Sequence, residues 1–151
     1  MKTIDAALIA ELKRKASQSP RLRANYNLHT SVAEASRFLN VGISKTYWRP
    51  HKHEDKWETG TLLEGRLGVL KFDESGNILE KVLLDGVDVR VVEVEPQEWH
   101  AIVPLSTYIV LFETKKGPYV PETDKVFAPW APAEGSPDAQ AYLQQLKRHF
   151  A

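Results

Sequence analysis

The chain has 151 residues, of which 42% are hydrophobic and 26% charged, so we expect a single globular domain spanning residues 1–151. Its 20 basic and 20 acidic side chains balance, whereas proteins that bind nucleic acid usually carry a basic surplus, and we therefore expect no nucleic-acid partner. The absence of cysteine excludes disulfides, thiolate metal sites and cysteine nucleophiles.

The first predicted element is a helix over residues 3–17. Ile4, Leu8 and Leu12 recur at a four-residue spacing, and the Ser-Pro pair at 19–20 ends the helix because the residue before a proline avoids helical geometry. Acidic residues interrupt this stretch, so it does not resemble a secretory signal. With no apolar run long enough to span a bilayer, we expect a cytoplasmic protein without a membrane partner.

The next segment, RLRANYNLH at residues 21–29, is polar and predicted to be irregular. Its hydrogen-bonding groups could cap a cavity or bind a sugar phosphate, but they fit a dimer contact or the start of an edge strand equally well. We assign it, with the helix, to an N-terminal region over residues 1–44.

Residues 45–114 carry the signals of strands and are the predicted barrel core. The turn-forming letters DESG separate RLGVLKF from NILEKVLL, which predicts a hairpin. A second turn at Asp85-Gly86 precedes VDVRVVEVE, in which Val alternates with polar residues, and STYIVLFET is a further strand. Many short strands without intervening helices indicate an all-β sandwich or barrel.

The C-terminal region, residues 115–151, begins with a segment rich in proline and aromatic residues. This composition is unsuited to a central strand or a free linker, so we expect an ordered arm packed on the barrel or on a neighbouring subunit. A short helix follows, with Ser136 as the predicted N-cap, Pro137 at the first helical position, and Leu143, Leu146 and Phe150 on its apolar side.

The segment RPHKHEDKWETGTLLEG, residues 49–65, carries the main functional signal. On a strand, His51 and His53 point to the same face, and Glu58 could return on the adjoining strand after a turn. Gly65 suits the next tight turn. Two imidazoles and a carboxylate can bind Zn, Fe, Mn, Ni or Cu. The alternative is a solvated polar loop.

A third histidine ligand must come from the later strands, and only His100 in EPQEWHAIV lies there, entering a strand after a turn at Pro96. His29 precedes the strands and is expected to be an ordinary polar residue, and His149 lies in the final helix. Three histidines and one glutamate would leave coordination positions open, as a reactive metal requires.

These motifs resemble the cupin superfamily. His51-x-His53, Glu58 and Gly65 are similar to its first conserved motif, and Pro96 to His100 is similar to its second. The segments SPRLRANYNLH, YWRPHKHEDKWET, PQEWH and KGPYVPETDKVFAPWAPAEG resemble more closely the WbuC-type cupin-fold metalloproteins, which are often encoded among genes for bacterial surface polysaccharide.

The resemblance implies a double-stranded β-helix (a cupin or jelly-roll barrel) with short N- and C-terminal helices. It implies one divalent metal ion, Fe, Mn, Ni or Zn, bound by His51, His53, Glu58 and His100, and a homodimer. The ligand would be a small polar molecule, such as a sugar derivative.

Two further residues are candidates for a functional role beside the metal. Arg49 could bind a substrate carboxylate or phosphate, or could form an ion pair at the rim. Glu113 could orient a ligand histidine or act as a general base, or could be a polar strand-end residue beside Lys115.

Three kinds of function remain compatible with the sequence. The first is an enzyme, either an isomerase or epimerase that uses the metal as a Lewis acid or an Fe(II)-dependent oxygenase. The second is a non-catalytic module that binds a small acid through the metal. The third is a metal-free sugar-binding barrel. A free acid or base in the cavity would favour the enzyme.

Overall fold

A computed structural model describes all 151 residues. None of its helices is both long and apolar enough to cross a membrane. A final 3-10 turn spans Arg148–Phe150, and the helices and strands are, in chain order, α1 (Ala6–Gln18), β1 (Arg23–Asn27), β2 (Ser36–Ile43), β3 (His51–Lys52), β4 (Glu58–Glu64), β5 (Leu67–Phe72), β6 (Ile78–Leu84), β7 (Val91–Val94), β8 (Trp99–Pro104), β9 (Tyr108–Lys115), β10 (Val126–Phe127) and α2 (Ala139–Lys147).

The ten strands form two five-stranded antiparallel sheets. One has the order β1-β2-β9-β4-β7 and the other the order β10-β3-β8-β5-β6. Leu62 and Leu111 of the first sheet pack with Leu67, Val69 and Leu84 of the second, so one apolar cluster lies between the sheets, and two others lie beneath the helices. This architecture confirms the predicted all-β jelly-roll fold with a short helix near each end of the chain.

The first helix lies on the outside of the first sheet. Asp5 caps it by accepting a hydrogen bond from the Leu8 amide (2.9 Å), so the helix begins later than predicted. It ends at Gln18, with the expected serine, Ser19, as its C-cap. Leu12 and Ala16 are buried against β2 and β9. The amphipathic pattern therefore predicted the helix, and the Asp5 cap determines its first residue.

The interpretation of residues 21–29 as irregular is wrong, and the alternative of an edge-strand start is confirmed, because the strand in this segment lies at the edge of the first sheet. Arg23–Asn27 is strand β1, which pairs with β2, and β2 in turn pairs with β9 over eight residues. The strands therefore begin well before Lys45. Arg23, Asn25 and Asn27 line a cavity, so β1 lacks the apolar alternation that identifies a half-buried strand.

The predicted hairpin between β5 and β6 is confirmed, with Leu67 opposite Leu84. The Asp73 carboxylate accepts amide hydrogen bonds within the DESG turn, and Gly76 there has a φ of +88°. The following strand is shorter than predicted: β7 begins at Val91, because the Asp85 carboxylate holds the three residues after Gly86 in a turn.

At the C-terminus, α2 begins at Ala139. The predicted N-cap is wrong, because Ser136 and Pro137 lie in a preceding turn and the Ser136 hydroxyl has no hydrogen-bond partner. The predicted apolar side is confirmed, since Leu143 and Leu146 are both buried. The helix packs on the outside of the second sheet.

The segment between β9 and α2, residues 116–138, is called the arm below. It adds β10 to the edge of the second sheet, and its Trp130 ring packs against Phe72 and Trp99, with centroids 4.9 Å and 6.3 Å away. The prediction of an ordered arm is therefore confirmed, and the surface it covers is that of its own barrel.

Replacing the fully buried Leu143 by Ala is expected to lower the free energy of unfolding by about 2–5 kcal/mol, because a cavity forms beneath α2. Urea denaturation monitored by tryptophan fluorescence measures this loss. The control is Gln144→Ala on the exposed side of the same helix, which should change stability by less than about 0.5 kcal/mol.

Candidate metal centre

The four predicted ligands meet inside the barrel. His51 lies on β3 directly opposite His100 on β8, His53 follows β3, and Glu58 is the first residue of β4. Their nitrogen and oxygen ligand atoms all lie within 4.8 Å of one another. The prediction that Glu58 returns on the adjoining strand is wrong. β4 belongs to the opposite sheet, and the Glu58 carboxylate reaches across the interior.

Backbone carbonyls turn two of the rings toward this point. His51 Nδ1 lies 3.0 Å from the Arg49 carbonyl and His100 Nδ1 lies 2.9 Å from the Glu98 carbonyl. Since a carbonyl oxygen only accepts, each Nδ1 carries the proton and each Nε2 presents a lone pair. In both cases the carbonyl belongs to the residue two positions earlier.

His53 is oriented by a distant residue. Its Nδ1 donates to the main-chain carbonyl of Asp124 in the arm, and its Nε2 lies 2.9 Å from a Glu58 oxygen. An imidazole lone pair and a carboxylate oxygen at this separation need a proton or a cation between them. In all three histidines, therefore, Nδ1 bonds to a backbone carbonyl and Nε2 faces the other ligands.

The donor set fits a divalent cation. The Nε2 atoms of His51 and His100 are buried without a hydrogen-bond partner, which is costly unless something binds them. Burial lowers the pKa of His51 well below its usual range and also lowers the pKa of His100, which keeps both rings in the neutral form that binds metals.

The carboxylate is held ionised. Burial opposes ionisation of Glu58, but the hydrogen bond with His53 and the charges of Lys125 and Lys115 hold its pKa well below the usual range. Three imidazoles and one carboxylate suit Fe, Mn, Ni or Zn, and the structure does not distinguish among these ions.

The turn before β8 links the two halves of the site. The Gln97 amide donates to the His53 carbonyl (2.7 Å), and the Gln97 side chain donates to the Glu54 carbonyl (2.8 Å). Gln97 adopts a φ of +70° to do so. The turn predicted at Pro96 therefore also fixes the position of β8 and its His100 relative to the segment that follows β3.

Arg49 lines a cavity of about 460 Å³ beside His51. Its Nη2 donates to the Ala128 carbonyl (2.8 Å), and its guanidinium lies over the Phe127 ring at 5.4 Å. No carboxylate forms an ion pair with it, so the alternative of a rim ion pair is not observed, and its Nε is buried without a partner.

Glu113 also lines this cavity. It is buried on β9 and accepts a hydrogen bond from Asn40 Nδ2 (2.8 Å), so it does not orient a ligand histidine through a hydrogen bond. The pKa of Glu113 is raised to about 8, mainly by burial and secondarily by the nearby negative charge of Glu58. A buried carboxyl group that titrates near neutral pH is the kind of group that transfers protons.

The outer wall of the cavity comes from the segment at residues 21–29. Arg21 and Arg23 both bind Glu134 of the arm, at 2.7 Å and 3.0 Å, which connects the start of the barrel to the arm. The His29 ring bonds to the backbone of Arg37, and His29 does not belong to the ligand cluster.

Sequence reasoning missed a buried charge cluster beside the site. Asp124 lies between Lys56 and Lys115, and all three are almost fully buried. The available signal was weak, because a lysine at a strand end and an aspartate in a proline-rich segment are usually exposed.

Two antiparallel sheets that enclose three histidines and a glutamate define the class of protein: the chain has the double-stranded β-helix fold of the cupins, and four side chains that could hold a metal ion lie together inside it. Residues 4–84 match the family model DUF6016, a domain of unknown function, and the chain belongs to that family. No curated protein matches the chain.

Solved structures share the fold. CapF from Staphylococcus aureus, described as a capsular polysaccharide assembling protein, superposes with a TM-score of 0.63 at 16% identity over 72% of this chain and 30% of its own. An uncharacterized double-stranded beta-helix protein from Klebsiella pneumoniae gives 0.60 at 10% identity, covering 85% and 98%. Oxalate oxidase in complex with the substrate analogue glycolate gives 0.58 at 18% identity, covering 89% and 75%. The chain spans about a third of the length of CapF.

We expect His51→Ala and His100→Ala each to abolish stoichiometric metal binding, because each removes one of four convergent donors. Elemental analysis of protein purified without an affinity tag measures this directly. His149→Ala, which removes an exposed histidine outside the cluster, should leave the metal content unchanged. Equal metal content in all three variants would contradict the site.

The raised pKa of Glu113 predicts a pH-dependent stability difference in metal-free protein. Its pKa is about 8 when folded and near 4.5 when unfolded, so the folded state binds the extra proton between these values and the contribution of Glu113 to stability falls as pH rises from 5 to 8. Glu113→Gln removes this cost and should gain on wild type over that range. Urea unfolding with a chelator at pH 5, 6.5 and 8 measures the difference, with exposed Glu122→Gln as the control.

Proposed function

We propose that the chain is a metal-dependent enzyme that isomerises or epimerises a small, anionic, sugar-derived molecule. The observation that carries this proposal is Glu113, a buried carboxyl group that is free of the metal-ligand cluster and shares a cavity with His51 and Arg49. A non-catalytic binding module needs no such acid or base. Metal-dependent chemistry explains both the convergent ligand set and the titratable group beside it.

Each cavity residue has a distinct task in the proposed reaction. Arg49 binds a carboxylate or phosphate of the substrate through its guanidinium group, whose Nε has no hydrogen-bond partner. A bound divalent ion would supply Lewis-acid polarisation of a carbonyl or hydroxyl oxygen. Glu113, in its ionised form, takes a proton from the carbon next to the carbonyl group, which gives an enediol or enol. For isomerisation Glu113 returns the proton to the former carbonyl carbon while the hydroxyl proton moves to the other oxygen, and for epimerisation water returns a proton to the opposite face, so no electrons are gained or lost.

The biological setting rests on two resemblances. The sequence is similar to WbuC-type proteins, and the fold is similar to that of CapF, described as a capsular polysaccharide assembling protein. We therefore propose a role in the synthesis of bacterial surface polysaccharide, in the cytoplasm and as a homodimer. The glycolate complex of oxalate oxidase supports a small acid as ligand. That neighbour also motivates the alternative of an oxygen-dependent, Fe(II)-containing enzyme.

Proton exchange with solvent tests the reaction class. Metal-loaded protein incubated in D₂O with sugar acids and sugar phosphates should place deuterium at the carbon next to the carbonyl group, which proton NMR detects. Glu113→Gln should reduce this exchange by about 10²–10⁴-fold while its metal content stays at the wild-type level. Oxygen consumption by Fe(II)-loaded protein without such exchange would support the oxygenase. Ligand binding with neither activity would support the binding module.

The role of Arg49 is tested separately. Arg49→Met should raise the KM for an anionic substrate at least tenfold, because the planar donor pair that binds the anion is lost. Arg49→Lys keeps the positive charge but loses the bidentate hydrogen-bonding geometry, so it should recover only part of the affinity for the anionic substrate. An unchanged KM in both variants would exclude Arg49 from substrate binding.

A further inference from the structure

A buried ion cluster fixes the arm to the barrel. The Asp124 carboxylate accepts a hydrogen bond from Lys56 (3.0 Å) with one oxygen and from Lys115 (2.6 Å) with the other. Lys56 also donates to the Pro118 carbonyl (2.7 Å) at the start of the arm. Because all three charged residues are almost fully buried, removing the single anion would leave two buried cations without their partner.

The same aspartate orients a metal-ligand histidine. Its main-chain carbonyl accepts the Nδ1 hydrogen of His53, while its side chain is held by the two lysines. The lysines therefore determine where the carbonyl lies, and the carbonyl determines which ring nitrogen of His53 faces Glu58. A hydrogen bond of this kind typically changes metal affinity by 10–100-fold when it is lost.

This arrangement differs from that of the other two ligand histidines. His51 and His100 use carbonyls that belong to their own strand segments, two residues away, so folding of the barrel alone orients them. The partner of His53 is 71 residues away in the chain. One of the four ligands is therefore oriented only when the arm is docked.

The negative charge of Asp124 also favours metal binding, in addition to the hydrogen bond that orients His53. Lys115 Nζ lies 2.6 Å from Asp124 but also 3.8 Å from a Glu58 oxygen. Without the Asp124 charge, the ammonium group of Lys115 would have Glu58 as its nearest anion and would compete with a cation for that carboxylate.

We propose that Asp124 is a positioning residue that couples docking of the arm to metal binding. The proposal rests on the metal centre proposed above. Docking orients His53 and leaves Glu58 available to the cation, and by linkage a bound cation stabilises the docked arm.

Binding of Co²⁺ to full-length, metal-free protein tests this coupling, with affinity obtained by competition against a chelator and the visible absorption of Co²⁺ as the spectroscopic signature. Asp124→Asn keeps the size and main-chain carbonyl but removes the charge, and should weaken Co²⁺ binding at least tenfold. Leu12→Ala is the matched control, because it destabilises a buried cluster under α1 that contains none of the metal-site residues. It should keep wild-type affinity.

The outcomes separate the two proposals. Wild-type protein that binds no Co²⁺ would overturn the metal centre itself. Wild-type affinity in Asp124→Asn, or an equal loss in Leu12→Ala, would overturn only the role of Asp124. Should Asp124→Asn fail to fold, hydrogen exchange of the wild type decides: Co²⁺ should slow exchange of the amides of residues 118–128, and unchanged exchange there would overturn the coupling.

Discussion

The arrangement on which the candidate site depends is the bonding of three imidazole Nδ1 atoms to three backbone carbonyls. Each bond fixes the tautomer and rotation of a ring, so that the Nε2 atoms point to one place inside the barrel. Two of these nitrogens are buried without any other partner. Unpaired nitrogens destabilise a hydrophobic core, but they are favourable ligands around a cation. The stability of this part of the fold therefore depends on what binds there.

The barrel and the arm contribute differently to this arrangement. The two sheets bring His51, His100 and Glu58 together through strand register alone. The arm supplies the carbonyl that holds His53 and the residues that frame the cavity from the outside. The strands thus position three donors, and the arm orients the fourth, His53.

Much of this could be predicted from the sequence, because strand periodicity and motif spacing are local properties. The hairpin, the turn before His100, Gly65 at its turn with a φ of +93°, and the fold class all follow from such patterns. Glu58 was expected on the neighbouring strand, because spacing along the chain says nothing about which sheet a strand joins. Strand β1 could be predicted only as one of several alternatives, because its inward residues are polar. Asp124 was missed because burial of a charged cluster depends on residues far apart in sequence.

The contact between Glu134 and the two arginines at the start of the barrel has a consequence for how such a protein can diversify. The rim of the cavity is built by the beginning of the chain and by the arm, whereas the metal ligands lie on strands in between. Substitutions in β1 or the arm's outer residues can therefore reshape what the cavity admits while the donor set stays intact. Under the proposed function, the outer rim that admits a substrate and the four metal ligands therefore lie on separate stretches of polypeptide, with Arg49 and Asp124 as the exceptions.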